Sequence, residues 1–195
     1  MQLSDIDLSK KYTYADYYSW AFDDRVELIN GKLFNLDSSP GTLHQLLSGF
    51  ISCSLDNYLK GTQKEVFAAP FDVRLPKSSN DDEAIDTVIQ PDICVICDSN
   101  KIDERGGIGA PDIVIEILTK GNNRKEVKDK YQAYEQAGVL EYWIIFPYSK
   151  TFLRYYLHNG YYLSSRPLTI GDEVTTPILP GFVLNLDELF AEKIN

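Results

Sequence analysis

The sequence predicts a mixed α/β fold, with a mixed central sheet flanked by helices and additional β-hairpins. Three observations carry this. Apolar residues recur at helical spacing over 42–59 and 124–137. Short runs rich in Val, Ile and aromatics lie between and beyond those stretches. The resulting central order is helix, strand, strand, strand, helix, strand, which suits a sheet covered by helices. A length of 195 residues, with 44% hydrophobic and 25% charged, fits one domain over 1–195 and excludes a disordered or fibrous chain. Such a chain buries roughly 70% of its unfolded surface, so its core needs no staples.

Taken in order, residues 12–22 mix aromatics with Asp and predict a short helix. VELINGKLFNL (26–36) predicts a hairpin, because Asn30-Gly31 is a turn pair between two strand-like runs. SSPGT is a loop, and the amphipathic helix from Thr42 to Leu59 follows, with Thr42 as its candidate cap. EVFAAPFDVRLP (65–76) reads as one strand ending at Pro76, and the acidic SSNDDEAID (78–86) as a mobile loop. TVIQPDICVICD (87–98) is a strand interrupted by Pro91, and 99–111 is a loop. DIVIEIL (112–118) is an apolar strand with one acid inside it. KGNNRK is a turn, and the helix over 124–137 stops at Gly138. EYWIIFP (141–147) is a strand, TFLRYYLHNGYYLS (151–164) a second hairpin turning at Asn159-Gly160, and the tail adds a strand and a short helix.

Three cysteines, Cys53, Cys94 and Cys97, give no disulfide framework. Cys94-x-x-Cys97 lacks the second pair or nearby histidines of a zinc site, and positions three apart on a strand point to opposite faces. Both are expected to be core residues. The first 20 residues have no signal-peptide core, and no window approaches the ~20 apolar residues of a membrane span, so a cytoplasmic protein with no membrane partner is expected.

The chemistry is carried by acids inside apolar β-segments. Glu116 interrupts Ile113-Val114-Ile115-Glu116-Ile117-Leu118, Asp92 stands between Pro91 and Ile93, and Glu27 lies between Val26 and Leu28. Burying an unpaired carboxylate is costly, so each must be paired, bound to metal, at a cleft rim, or on a solvent-facing strand position. If their strands are neighbours, the acids converge on a site for a divalent cation, since Mg²⁺ takes one or two carboxylates and completes its shell with water and phosphate. The helix after Glu116 carries Arg124, Lys125, Lys128 and Lys130, for which a solvated face paired with Glu126, Asp129 and Glu135 is the plain alternative. Lys130 is more specific, because Tyr134 follows it by four residues and sets it at the border of the apolar face.

These blocks resemble the Uma2 family, also called DUF820, of restriction-endonuclease-like proteins. The resembling pieces are VELINGKLF (26–34), His44 opening the first long helix, APFDVRL (69–75), VIQPDICVI (88–96), RGGIGAPDIVIEIL (105–118), KYQAYEQAGVLEYWIIFP (130–147) and LPGFVLNLDELF (179–190). They span about residues 12–190. The resemblance implies a restriction-endonuclease-like core of the PD-(D/E)XK nuclease superfamily. Pro91-Asp92 matches its PD, Glu116 its D/E, Lys130 a lysine displaced onto the following helix, Glu27 the upstream glutamate, and His44 a histidine at the start of the first long helix. Where the family usually reads ILSPS, this chain reads Ile117-Leu118-Thr119-Lys120-Gly121.

The implied activity is metal-dependent endonucleolytic hydrolysis of DNA. Asp92 and Glu116, with Glu27 and the Ile117 carbonyl, would hold Mg²⁺ or Mn²⁺, Lys130 would position water or stabilise the transition state, and His44 would act as general acid or phosphate contact. A homodimer is expected from the same resemblance. The alternative is a catalytically inactive nuclease-fold module that binds nucleic acid or a partner. Glycoside hydrolysis by two carboxylates leaves the basic helix without a task. The net charge of −10 argues at first against nucleic acid, but residues 113–166 carry eight Lys or Arg and five Asp or Glu, a net of +3. The acidity lies in the remaining segments.

Overall fold

Prolines mark where this chain passes between its two six-stranded sheets. The computed structural model describes residues 6–20, 25–35, 41–119 and 124–191. The first hairpin forms as β1 (Val26–Ile29) and β2 (Lys32–Asn35), and the second as β11 (Thr151–His158) and β12 (Tyr161–Ser164). Their turn pairs, Asn30-Gly31 and Asn159-Gly160, have φ between 51° and 84°, the left-handed region that Asn and Gly enter most readily. The first helix is shorter than expected. α1 (Tyr14–Ser19) starts at a capping box in which Thr13 and Asp16 exchange bonds.

The two long helices match their expected bounds, α2 (Thr42–Leu59) and α3 (Arg124–Ala137). The cap of α2 differs: Gly41 is the N-cap and Thr42 is the first helical residue. The turn expected over 120–125 lies mostly outside the described residues, its last two positions opening α3, and so do Lys120 and Gly121 and most of SSPGT.

The run 65–76, expected as one strand, is two. β3 (Glu65–Ala68) and β4 (Val73–Arg74) flank Pro70 and belong to different sheets. Pro91 likewise separates β5 (Val88–Ile89) from β6 (Ile93–Ile96). Proline has no N–H for a ladder, so at each point the chain leaves one sheet and joins the other. The expected loop 99–111 contains β7 (Ile102–Asp103) and β8 (Gly106–Ile108). The first sheet therefore runs β2-β1-β5-β4-β8-β7. The second runs β12-β11-β10-β9-β6-β3, with β9 (Ile113–Ile117) and β10 (Glu141–Phe146) parallel and its other pairs antiparallel. In place of the single tail strand there is a hairpin, β13 (Glu173–Thr176) and β14 (Leu179–Asn185), followed by α4 (Leu186–Leu189).

Strand alternation sorts the core into two layers. On one face of the second sheet, Ile93, Val95, Ile113, Ile115 and Ile117 pack against Leu47, Ile51 and Leu55 of α2 and against β14 and α4. On the other, Cys94, Ile96 and Val114 meet Ala133 and Tyr134 of α3 and Val73 and Ile89 of the first sheet. Cys94 and Cys97 accordingly face opposite layers, both as packing residues, and burial pushes both thiols up, Cys97 to about 11. The acidic segment 78–86 is tied down: Asp82 pairs with Arg105, Asp86 with Lys77, and Ile85 is fully buried. Among the described residues no helix is long and apolar enough to cross a membrane.

Candidate active site

Glu116 shares the α3-facing side of β9 with Val114, two residues away. That orientation sets its carboxylate under α3, whose residues four apart lie one above the other. Lys130 Nζ donates to Glu116 Oε1 at 3.1 Å, and the Tyr134 hydroxyl donates to the same oxygen at 2.9 Å. Lys130 Nζ also lies 2.9 Å from Glu27 Oε1, which accepts the Gln90 backbone N–H at 2.9 Å. Glu27 comes from β1 of the first sheet, so Lys130 spans the seam between the two sheets.

Asp92 occupies the crossing between β5 and β6. Its Oδ2 accepts the Ile117 N–H at 2.7 Å and lies 3.1 Å from His44 Nε2, on the first turn of α2. His44 therefore meets a carboxylate, not the nearby helix backbone that would satisfy a merely structural residue there. Its Nδ1 is buried without a hydrogen bond, so the ring proton belongs on Nε2, facing Asp92. The five expected side chains thus fall into two bonded groups, Glu27 with Lys130 and Glu116, and His44 with Asp92, which meet where Asp92 holds the N–H of Ile117, next to Glu116.

The electrostatics follow from two glutamates sharing one lysine with Asp92 nearby. Burial pushes the Glu116 carboxyl up to about 8. Lys130 and Tyr134 oppose that rise, while Asp92 and Glu27 add to it. Burial works against the Lys130 ammonium, but Glu116 and Glu27 outweigh it and hold Lys130 above its ordinary value. The Tyr134 hydroxyl is raised by burial and then by Glu116.

The donor set suits a small hard cation, although it is not a ready-made cage. Among the described residues no group of three or more His, Cys, Asp or Glu side chains is arranged to hold a metal ion. The bonds above fall on Asp92 Oδ2 and Glu116 Oε1, which leaves Oδ1 and Oε2 as carboxylate donors. Two carboxylates are what Mg²⁺ commonly takes from a protein. Beside them, continuing the β6–β9 register by two residues sets Pro91 opposite Ile117, and proline has no N–H to offer the Ile117 carbonyl.

Two members of the cluster had no assigned role in the sequence. Tyr134 was marked only by its spacing from Lys130. Gln90, next to Pro91-Asp92, holds Glu27 through its backbone and donates its side-chain amide to Asp72 Oδ1 at 2.8 Å. A polar residue abutting the Pro-Asp pair was the available signal.

A sheet carrying carboxylates under a helix that supplies a lysine fits a restriction-endonuclease-like fold. The Uma2 family model, described as "putative restriction endonuclease", matches residues 14–187, and the chain belongs to that family. In structure the chain is similar to a solved protein from Anabaena variabilis titled a "putative nuclease belonging to DUF820". The TM-score is 0.74 at 20% identity, over 92% of this chain and 97% of that one. No curated protein matches the chain.

Proposed function

We propose that this protein is a metal-dependent endonuclease that hydrolyses phosphodiester bonds of DNA. The convergence of Asp92, Glu116 and Lys130 from the β5–β6 crossing, β9 and α3 at the seam between the sheets carries the reading. Asp92 and Glu116, with the Ile117 carbonyl beside them, would hold Mg²⁺ or Mn²⁺. Bound there, the cation would neutralise charge on the scissile phosphate and make water more acidic.

The chain's own groups perform the remaining tasks. Lys130 keeps an ammonium beside the carboxylates, where it orients the attacking water and stabilises charge growing on the phosphate. Glu27 fixes Lys130 from the opposite sheet. His44 and the Ile117 N–H hold Asp92 Oδ2, which turns Oδ1 toward the cluster. Tyr134 does the same for Glu116 by occupying Oε1.

The test is incubation with supercoiled and single-stranded DNA in Mg²⁺ or Mn²⁺. Cleavage that disappears in Glu116→Ala supports the proposal. Wild-type cleavage no greater than that of Glu116→Ala on every substrate sinks it. One observation favours a second reading, an inactive nucleic-acid-binding module: Lys130 is closed onto both Glu27 and Glu116. That reading expects DNA binding indifferent to Mg²⁺ and to Asp92→Ala.

A further inference from the structure

We propose that Arg25 binds a backbone phosphate of the nucleic-acid substrate, one step along the strand from the phosphate at the acid cluster. This rests on the nuclease reading and names a contact that the reading alone does not require.

Arg25 directly precedes β1 and is exposed. Its Nε donates to Gln90 Oε1 at 3.0 Å. Gln90 is itself immobilised: its N–H holds Glu27, and its amide donates to Asp72 Oδ1 at 2.8 Å and to the Tyr17 hydroxyl at 3.3 Å. Tyr17 in turn donates to Asp72 Oδ1 at 3.1 Å. The guanidinium is thus anchored through one nitrogen to a rigid neutral group.

That anchor sets Arg25 apart from the arginines that pair with acids. Arg74, Arg105 and Arg166 each pair with an aspartate, whereas among the described residues no ion pair includes Arg25. An amide partner leaves the positive charge uncompensated. With Nε engaged, Nη1 and Nη2 form the planar fork that matches two phosphate oxygens.

Position supplies the second half. Two residues of extended backbone span about 7 Å, so Arg25 stands that far from Glu27, at the exposed entry to β1. Their common contact with Gln90 fits that placement. A site with three acids and one lysine repels a polyanion, and a fixed cation at its rim offsets the repulsion.

The experiment measures anisotropy of a labelled single-stranded oligodeoxynucleotide and of its duplex in Ca²⁺, across a KCl series, with Mn²⁺ affinity read separately by calorimetry. Arg25→Ala is expected to weaken binding about 10-fold at low salt. The slope of log K against log salt should shrink by roughly 0.7–0.9, the loss of one phosphate contact. Arg25→Lys should recover that slope, and Mn²⁺ affinity should stay at the wild-type level in both variants. An unchanged slope in Arg25→Ala overturns the contact. Weakened Mn²⁺ binding with no change of slope overturns it too, because Arg25 would then only brace Gln90 and Glu27. If the wild type binds Mn²⁺ but neither probe, the nucleic-acid substrate is overturned and the Arg25 role with it. If it binds no Mn²⁺ either, the nuclease reading fails first.

Discussion

Two ion clusters reach into the interior of this protein, and they balance charge in opposite ways. In the first sheet, Arg74 is fully buried and donates to Asp103 Oδ1 at 2.6 Å and to the Gly107 carbonyl, with its guanidinium over the Tyr14 ring. One cation meets one anion, and the Arg74 bond holds the Asp103 carboxyl below its ordinary range. At the seam between the sheets, Glu27 and Glu116 share the ammonium of Lys130 while Asp92 lies beside them against His44, and burial pushes Glu116 up to about 8. The first arrangement is balanced in charge, although Arg74 Nη1 stays buried without a hydrogen bond. In the second, acids outnumber the lysine they surround, the imbalance that the proposed cation would offset.

The sharpest way to break this comparison is Glu116→Gln. Cleavage should fall roughly 10²–10³-fold, the usual loss for an electrostatic contributor. Thermal stability in chelator should hold or rise, because a carboxyl raised to about 8 is costly to bury at neutral pH, whereas the amide keeps its shape without that cost. A melting temperature well below wild type would make this cluster structural as well.

Next in size is the response to metal. Mn²⁺ at about 100 times its dissociation constant should stabilise the wild type by ~2.7 kcal/mol in thermal melts. Asp92→Asn should abolish that gain, and Asp103→Asn should leave it intact. Equal gains in all three proteins would place the cation elsewhere.

Asp103→Asn should cost about 2 kcal/mol in urea unfolding at neutral pH. That is below the ~3–5 kcal/mol of a fully buried pair, because the Asp103 side chain is 43% exposed and partly screened. Its pH dependence has a definite sign. A carboxyl held below its ordinary value contributes stability above that value and loses it as pH falls through the lower folded value. The wild type should therefore lose stability below about pH 4, and the variant should show a shallower acid limb. Parallel limbs would separate Asp103 from Arg74.

The smallest effect belongs to Tyr134→Phe. Losing one buried hydrogen bond to Glu116 should cost ~1 kcal/mol, with a modest fall in Mn²⁺ affinity by calorimetry. An effect as large as that of Glu116→Gln would make Tyr134 a direct participant.

Much of this was legible before folding, though unevenly. Asn30-Gly31 and Asn159-Gly160 marked both hairpins, and apolar spacing gave α2 and α3 their bounds, because turns and helices depend on near neighbours. The two-sheet partition was not legible. Residues 65–76 look like one strand until Pro70 divides them, and nothing local tells β3 and β4 which partners to seek. The tail hairpin was missed in the same way, since the polar, alternating Glu173–Thr176 becomes a strand only against β14.

Of the site, Asp92 and Glu116 stood out because acids in apolar runs violate burial energetics. Arg25 and Gln90 did not, since a polar residue at a strand edge violates nothing. The sequence by itself determined the helices, the turns and the residue types able to do phosphate chemistry, all properties of short windows. Only the tertiary structure decided that these residues meet, because Glu27 is bonded to Gln90 across 63 positions and Glu116 to Lys130 across 14. Contacts at such separations come from sheet pairing and helix docking, which no single window contains.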